Sequence, residues 1–367
     1  MSNTEPNPQE RVCDSSSGLS DGVELRQCEQ GPLELLEPRA VPLGGPRAMT
    51  VYRALPQKAR SLIGAWCFCD AFGPDTVAKT QGMRVPRHPH TGLATVSWLF
   101  AGGIDHIDSA GHWAKVLPGW VNLMNAGSGI THSEFSSADT ETLHGLQLWY
   151  ALPASARFSQ PGLQSFQPQP IQGKGFTARV FLGSLLGYDS PVQTPIGLTG
   201  AELRLAANAR LEVEVPEDYE HGLVQVSGPI SLDAVQVPDN AIAFTPRGRK
   251  KLTIAAGNRP ALAVLLGGEP LEEEILMWWN FVGRSHEEIA LWRSRYMQEM
   301  GFEPAGAGSA LQEQANQPPG PKESPQASYE DGTVFPQFGQ FPPQQPAPLP
   351  APPLPQVRLR LRGPKIS

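Results

Sequence analysis

Two residue pairs in this chain have the types and spacing to hold a metal ion: His88-Pro-His90 and His132-Ser-Glu134. Each pair is spaced i, i+2. On a β-strand that spacing turns both side chains to one face, about 6.6 Å apart along the strand at roughly 3.3 Å per residue. If the two strands are neighbours across a barrel, three imidazoles and one carboxylate converge on a point. Three nitrogens and one oxygen suit iron, manganese, nickel, copper or zinc. The competing reading of the same four residues is structural histidines plus a surface acid.

Other reactive side chains are weaker candidates. His106, His112 and His144 lie in the same region, but no spacing links them to the two pairs. Packing and hydrogen bonding are their expected roles, with contact behind the ligands as the alternative. Gly127-Ser128-Gly129 has the look of a nucleophile turn but lacks the strand–turn–helix context. A tight turn ahead of a ligand strand explains its glycines better. Cys67 and Cys69 flank Phe68 in an apolar run and read as buried thiols. With Cys13 and Cys28 they are too few to be a disulfide framework in a chain of 367 residues, so a reducing cytoplasm is expected.

The elements that would position these residues read as strands. Residues 94–100 are apolar and β-branched, and 120–125 and 143–152 read alike. The second half repeats the density at 176–182, 202–205, 211–215, 223–226, 241–244, 252–255 and 261–266. Many short strands at near-regular spacing predict an all-β chain of barrels or sandwiches. One helix stands out. Ser285-His-Glu-Glu288 has the form of a capping box, and Ile289, Trp292 and Tyr296 follow at i, i+3 and i+7. That helix is expected to pack on the barrels and do no chemistry. The second half holds only His221 and His286, far apart, so a second metal site of the same kind is not expected.

Composition bounds the rest. Hydrophobic residues make up 40% of the chain and the net charge is −7. That charge gives no reason to expect direct nucleic-acid binding. No stretch reaches the roughly 18 apolar residues that span a bilayer, so no membrane role is expected. The first residues carry no apolar core of a secretory leader. After Gly301 the composition changes: 15 of the 38 prolines fall in the last 67 residues. Runs such as Pro348-Leu-Pro350-Ala-Pro352-Pro353-Leu-Pro355 favour polyproline II without a core. A solvated extension is expected there, with engagement of a proline-binding groove as the alternative.

These residues resemble the pirin family of two-barrel cupins. Residues 87–98 (RHPHTGLATVSW) are similar to the family's HPHRGFETV segment. His106-Ile-Asp108-Ser109-Ala-Gly111 is similar to its HxDSxG turn. Met124 to Glu134 (MNAGSGITHSE) resembles MTAGxGIxHSE, and residues 143–149 with Pro153 resemble LHGxQLWxxLP. Residues 60–74 (RSLIGAWCFCDAFGP) resemble the family's entry segment. Together the motifs cover about Leu55 to Pro153, in order. The second half, about Pro195 to Met297, resembles the second pirin cupin more loosely.

The resemblance implies two stacked cupin (jelly-roll) β-barrels, a short C-terminal helix and disordered tails. It implies one Fe2+ in the first barrel, or another divalent transition metal, held by His88, His90, His132 and Glu134. It implies flavonol 2,3-dioxygenase (quercetinase) chemistry on a flavonol-like aromatic, with Glu134 as ligand and base. The alternative is a non-enzymatic, iron-binding, redox-sensing regulatory module acting through a protein partner. A monomer is expected. The expected organisation is a disordered lead-in over 1–21 and a metal-bearing barrel over 22–155. A metal-free barrel follows over 156–300, then a Pro/Gln-rich disordered tail over 301–367. Three positions depart from the family pattern. The Glu four residues after His-x-His is Ala94, the Arg after the second His is Thr91, and in Pro118-Gly119, which resembles the start of the family's PGD, the Asp is replaced by Trp120. These bear on substrate preference more than on the metal.

Overall fold

The computed structural model describes residues 8, 11–13, 25–26, 31–43, 49–304, 338–343 and 345–359. Most of the expected lead-in, Cys28 and the stretch 305–337 lie outside the described residues.

The chain forms two antiparallel β-barrels. The first is built from a four-stranded and a seven-stranded sheet. In the smaller sheet the order is Trp113–Val116, Ile104–Asp108, Ile130–Ser136, Arg84–His90. At the centre of the larger one lie Leu93–Ala101, Thr142–Ala151 and Trp66–Thr76. The second barrel has an eight-stranded sheet centred on Leu198–Leu205, Ala261–Gly268 and Glu220–Ser227. A four-stranded sheet that includes Arg210–Glu214 and Lys251–Ala256 completes it. The strand expected over 176–182 has those bounds, whereas that expected from Glu202 begins at Leu198.

The halves exchange strands, which the expected boundary at 155 does not anticipate. Leu33–Leu36, early in the chain, pairs with Ile242–Thr245 in the second barrel. Gly162–Phe166, beyond the boundary, pairs with Val121–Asn125 in the first. Each closes a row of backbone donors and acceptors that would otherwise be open. One apolar cluster runs through both halves, from Trp66, Trp98 and Trp149 to Phe181 and Val264. Trp98 stacks on Phe181 at 4.6 Å and donates its Nε1–H to Glu202 Oε2 at 2.8 Å. Cys67 and Cys69 are buried free thiols in this cluster, as expected.

A single-turn helix, α1, spans Val77–Thr80. The helix with the capping box, α2, spans His286–Glu299. Ser285 Oγ accepts from the Glu288 amide at 3.2 Å, and Ile289, Trp292 and Tyr296 are buried. Two parts of the expected tails are laid on this core. Arg11–Cys13 pairs with Ile275–Met277. Phe338, Ala351 and Leu359 are buried beside Trp292, Tyr296 and Met297. Composition gives no sign of this, because the apolar anchors of the tail are few and widely spaced.

Candidate metal centre

Strands Arg84–His90 and Ile130–Ser136 lie side by side, with His88 opposite His132 and His90 opposite Ile130. Alternation then turns His88, His90, His132 and Glu134 into the barrel, and all four are buried. Arg87 and Thr131 take the outer face. A register shift between His132 and Glu134 sets Glu134 opposite Val85. On its other edge the His132 strand pairs with Ile104–Asp108, which puts His106 directly opposite Glu134. Three strands therefore converge on the site.

Glycines shape the turns that end these strands. Gly92 follows His90-Thr91 with φ +65°, and a Cβ there would fall 2.0 Å from the Val282 carbonyl oxygen. Gly127, ahead of the His132 strand, has φ +49°, and its Cβ would fall 2.0 Å from Ser159 O. Both positions need a residue without a side chain, in keeping with a turn role for Gly127-Ser128-Gly129.

The ring nitrogens define the site. His90 Nε2 is 3.1 Å from His132 Nε2. His132 Nδ1 is 3.3 Å from His106 Nδ1, and His106 Nε2 is 3.2 Å from Asp108 Oδ2. His88 Nδ1 is 2.9 Å from the Pro86 carbonyl oxygen. A carbonyl or a carboxylate can only accept, so tautomers follow by assignment. His88 donates from Nδ1, which leaves its Nε2 with a bare lone pair. That Nε2 is buried and has no hydrogen-bond partner among the described residues. His106 donates from Nε2 to Asp108, and with its Nδ1 as the acceptor of the 3.3 Å contact, His132 donates from its own Nδ1. His132 Nε2 then carries the ring's lone pair and lies 3.1 Å from His90 Nε2.

Charge points the same way. Burial in the barrel pulls the His88 imidazolium down to about 4. Burial, reinforced by the neighbouring His88, holds His90 and His132 well below the usual imidazole range. At neutral pH all three rings are uncharged, the form that coordinates a metal. Burial works against the Asp108 carboxylate. Hydrogen bonds from His106 and the His112 amide nonetheless hold it below the usual carboxylate range, so it remains an acceptor.

The residues fit a cation. Candidate ligand atoms of His88, His90 and His132 all lie within 4.8 Å of one another. Those of His106, His132 and Glu134 do the same, so three of the expected ligands form one triad, and the fourth, Glu134, joins His132 in a second triad completed by His106. Two nitrogens bound at right angles to one ion, each at ~2.1 Å, would be ~3.0 Å apart. The 3.1 Å between His90 and His132 Nε2 matches that edge. Trp149 stands edge-on to His90 at 5.1 Å and stacks on Phe68 at 4.0 Å, so one wall behind the imidazoles is aromatic.

Other sequence candidates are now placed. His106 lies against His132 and falls in a candidate triad with His132 and Glu134, so it belongs to the cluster that the spacing did not link it to. Its own signal was its i, i+2 spacing from Asp108. His112 hydrogen-bonds the same carboxylate from the surface side. His144 packs against Phe100 at 4.9 Å and joins neither triad. Ala94 is buried in the shared apolar cluster. Thr91 holds the turn through its backbone, its carbonyl accepting from the Val282 amide at 3.0 Å.

Comparisons with known proteins agree with this architecture. The pirin family profile matches residues 48–150, and the pirin C-terminal cupin domain matches 200–300. A Pseudomonas aeruginosa protein named "Putative quercetin 2,3-dioxygenase" is 38% identical, covering 79% of this chain and 89% of that one. A pirin-like protein of Caulobacter vibrioides is 33% identical, over 65% of this chain and 85% of that one. Among solved structures, quercetin 2,3-dioxygenase from Acinetobacter baumannii superposes with a TM-score of 0.74. It is 28% identical and covers 89% of this chain and 98% of that one.

Proposed function

The chain belongs to the pirin family, and from that premise we propose that it is an iron-dependent dioxygenase that opens flavonols of the quercetin type. The observation that carries the reading is the buried His88 Nε2, without a hydrogen-bond partner among the described residues, together with the 3.1 Å approach of His90 Nε2 to His132 Nε2. We assign His88, His90, His132 and Glu134 as the residues that hold the metal, with Fe2+ as the ion. Bound there, a ferrous ion would supply a Lewis acid and a template for an enediol and dioxygen.

The chain's own residues do the rest. Pro86 O and the His106–Asp108 pair hold His88 and His132 in the tautomers that leave their Nε2 lone pairs free. Burial keeps the imidazoles neutral and excludes water. Glu134 is the carboxylate among the four, and it accepts the proton from the substrate hydroxyl as general base. The aromatic wall of Trp149 and Phe68 lies behind the ligand cluster and gives the site an apolar side. Support for the substrate class comes from the relatives whose names carry quercetin 2,3-dioxygenase.

The test is aerobic turnover of quercetin by protein with quantified bound iron, followed by loss of flavonol absorbance. Iron-dependent bleaching that disappears in His88→Ala is expected. No bleaching at full iron occupancy would reject quercetin as the substrate. It would leave the redox-sensing module as the better reading of the same site.

A further inference from the structure

The described part of the C-terminal segment makes a set of contacts unlike chance packing. Proline has no amide hydrogen, so a proline-rich segment presents mainly carbonyl acceptors. The body of the protein meets them with donors. Tyr296 Oη donates to Leu349 O and Arg293 Nε to Pro352 O, each at 2.6 Å. Arg87 Nη2 donates to Gly339 O at 2.6 Å, and Thr131 Oγ1 to Phe338 O at 3.1 Å. Amides of the segment find acceptors in turn. Leu349 N–H reaches Arg87 O at 2.8 Å, Ala351 N–H reaches Met297 Sδ at 3.2 Å, and Leu359 N–H reaches His286 Nδ1 at 3.1 Å.

The receptor side is prearranged by the helix. His286, Arg293 and Met297 stand at i, i+7 and i+11 on α2, one stripe of its surface. Arg87 and Thr131 stand on the outer face of the two strands that carry His88 and His132. The Arg87 guanidinium donates to Thr131 Oγ1 at 2.9 Å and lies 4.7 Å from the centre of the Phe341 ring. Phe338 and Leu359 are 0% and 2% exposed and join the aromatic cluster of Trp292 and Tyr296. Thirty-three residues of sequence separate Pro304 from Phe338, so this is a tethered peptide, not the continuation of a turn.

We propose that α2 and the outer face of the His88 and His132 strands form a recognition groove for a proline-rich peptide with apolar anchors. The occupant is residues 338–359 of the same chain, held in cis and exchangeable for an identical segment supplied in trans. A tether of this length gives an effective concentration on the order of millimolar, so the cis copy masks the groove. The proposal does not rest on the metal or the reaction.

The test uses the full chain and a fluorescein-labelled synthetic peptide of residues 338–359, read by fluorescence anisotropy. Phe338→Ser with Leu359→Ser weakens the cis copy without touching the groove. The expected result is at least tenfold tighter peptide binding by this variant than by the wild type. A scrambled peptide should not bind, and adding Arg293→Ala with Tyr296→Phe should abolish the gain. Absence of saturable binding to the folded double variant would overturn the proposal. If that variant does not fold, amide hydrogen exchange of the wild type decides. Protection of Leu349, Ala351 and Leu359 supports the groove, and exchange at the unfolded-chain rate overturns it.

Discussion

His106 Nδ1 lies 3.3 Å from His132 Nδ1, and the far nitrogen of the same ring lies 3.2 Å from Asp108 Oδ2. A buried carboxylate thus fixes, through one intervening imidazole, which nitrogen of His132 carries the proton. Asp108→Asn removes the obligate acceptor while keeping the side chain's volume. Metal affinity should fall 10- to 100-fold, with the fold retained. Competition with a chromophoric chelator measures the affinity, and circular dichroism checks the fold.

Glu134 is buried beside His106 and His132. If it takes the substrate proton, Glu134→Gln should lower turnover by roughly 100-fold or more at matched iron content. The comparison is kcat per bound iron, with iron measured by mass spectrometry. A variant that keeps both its metal and full turnover would sink the base role.

In the second barrel, His221 is fully buried, and both its ring nitrogens lack a hydrogen-bond partner among the described residues. Burial lowers its pKa to about 4. Above pH 6.5 the ring is neutral in both the folded and the unfolded chain and has no effect on the balance. Between 6.5 and about 4 the unfolded chain takes up the proton and the folded chain does not. Stability therefore falls as pH falls across that window. His221→Leu should remove this contribution, at most about 3 kcal/mol. Urea unfolding of the metal-free protein at pH 7 and pH 4.5 should show a smaller acid loss for the variant.

Gly92 turns the chain between the ligand pair and the next strand. Gly92→Ala would need a left-handed alanine, which costs about 1–2 kcal/mol. It would also set a methyl 2.0 Å from Val282 O. The expected loss is at least about 2 kcal/mol, seen as a melting temperature lowered by several degrees. An unchanged melting temperature would show that the turn relaxes freely.

What could be read in the residues is what depends on neighbours along the chain. His88-x-His90 and His132-x-Glu134 share a face because side chains alternate along any strand. The capping box at Ser285 follows from the first turn of a helix, and the stripe of Ile289, Trp292 and Tyr296 from the next two. The ordered motifs from Leu55 to Pro153 carried the family, and with it the two barrels. These signals are local, so no tertiary information was needed to see them.

What only the tertiary structure decided is which elements are neighbours. His106 is 26 residues from His132, yet it lies against it because Ile104–Asp108 pairs with Ile130–Ser136. Leu33–Leu36 serves the second barrel and Gly162–Phe166 the first, although sequence order suggests the reverse. Residues 338–359 read as tail, yet donors scattered over Arg87, Thr131, Arg293 and Tyr296 hold them. Strand pairing and groove docking join residues tens to hundreds of positions apart. Their free energy comes from contacts that exist only once the chain has closed, so no window of sequence contains them.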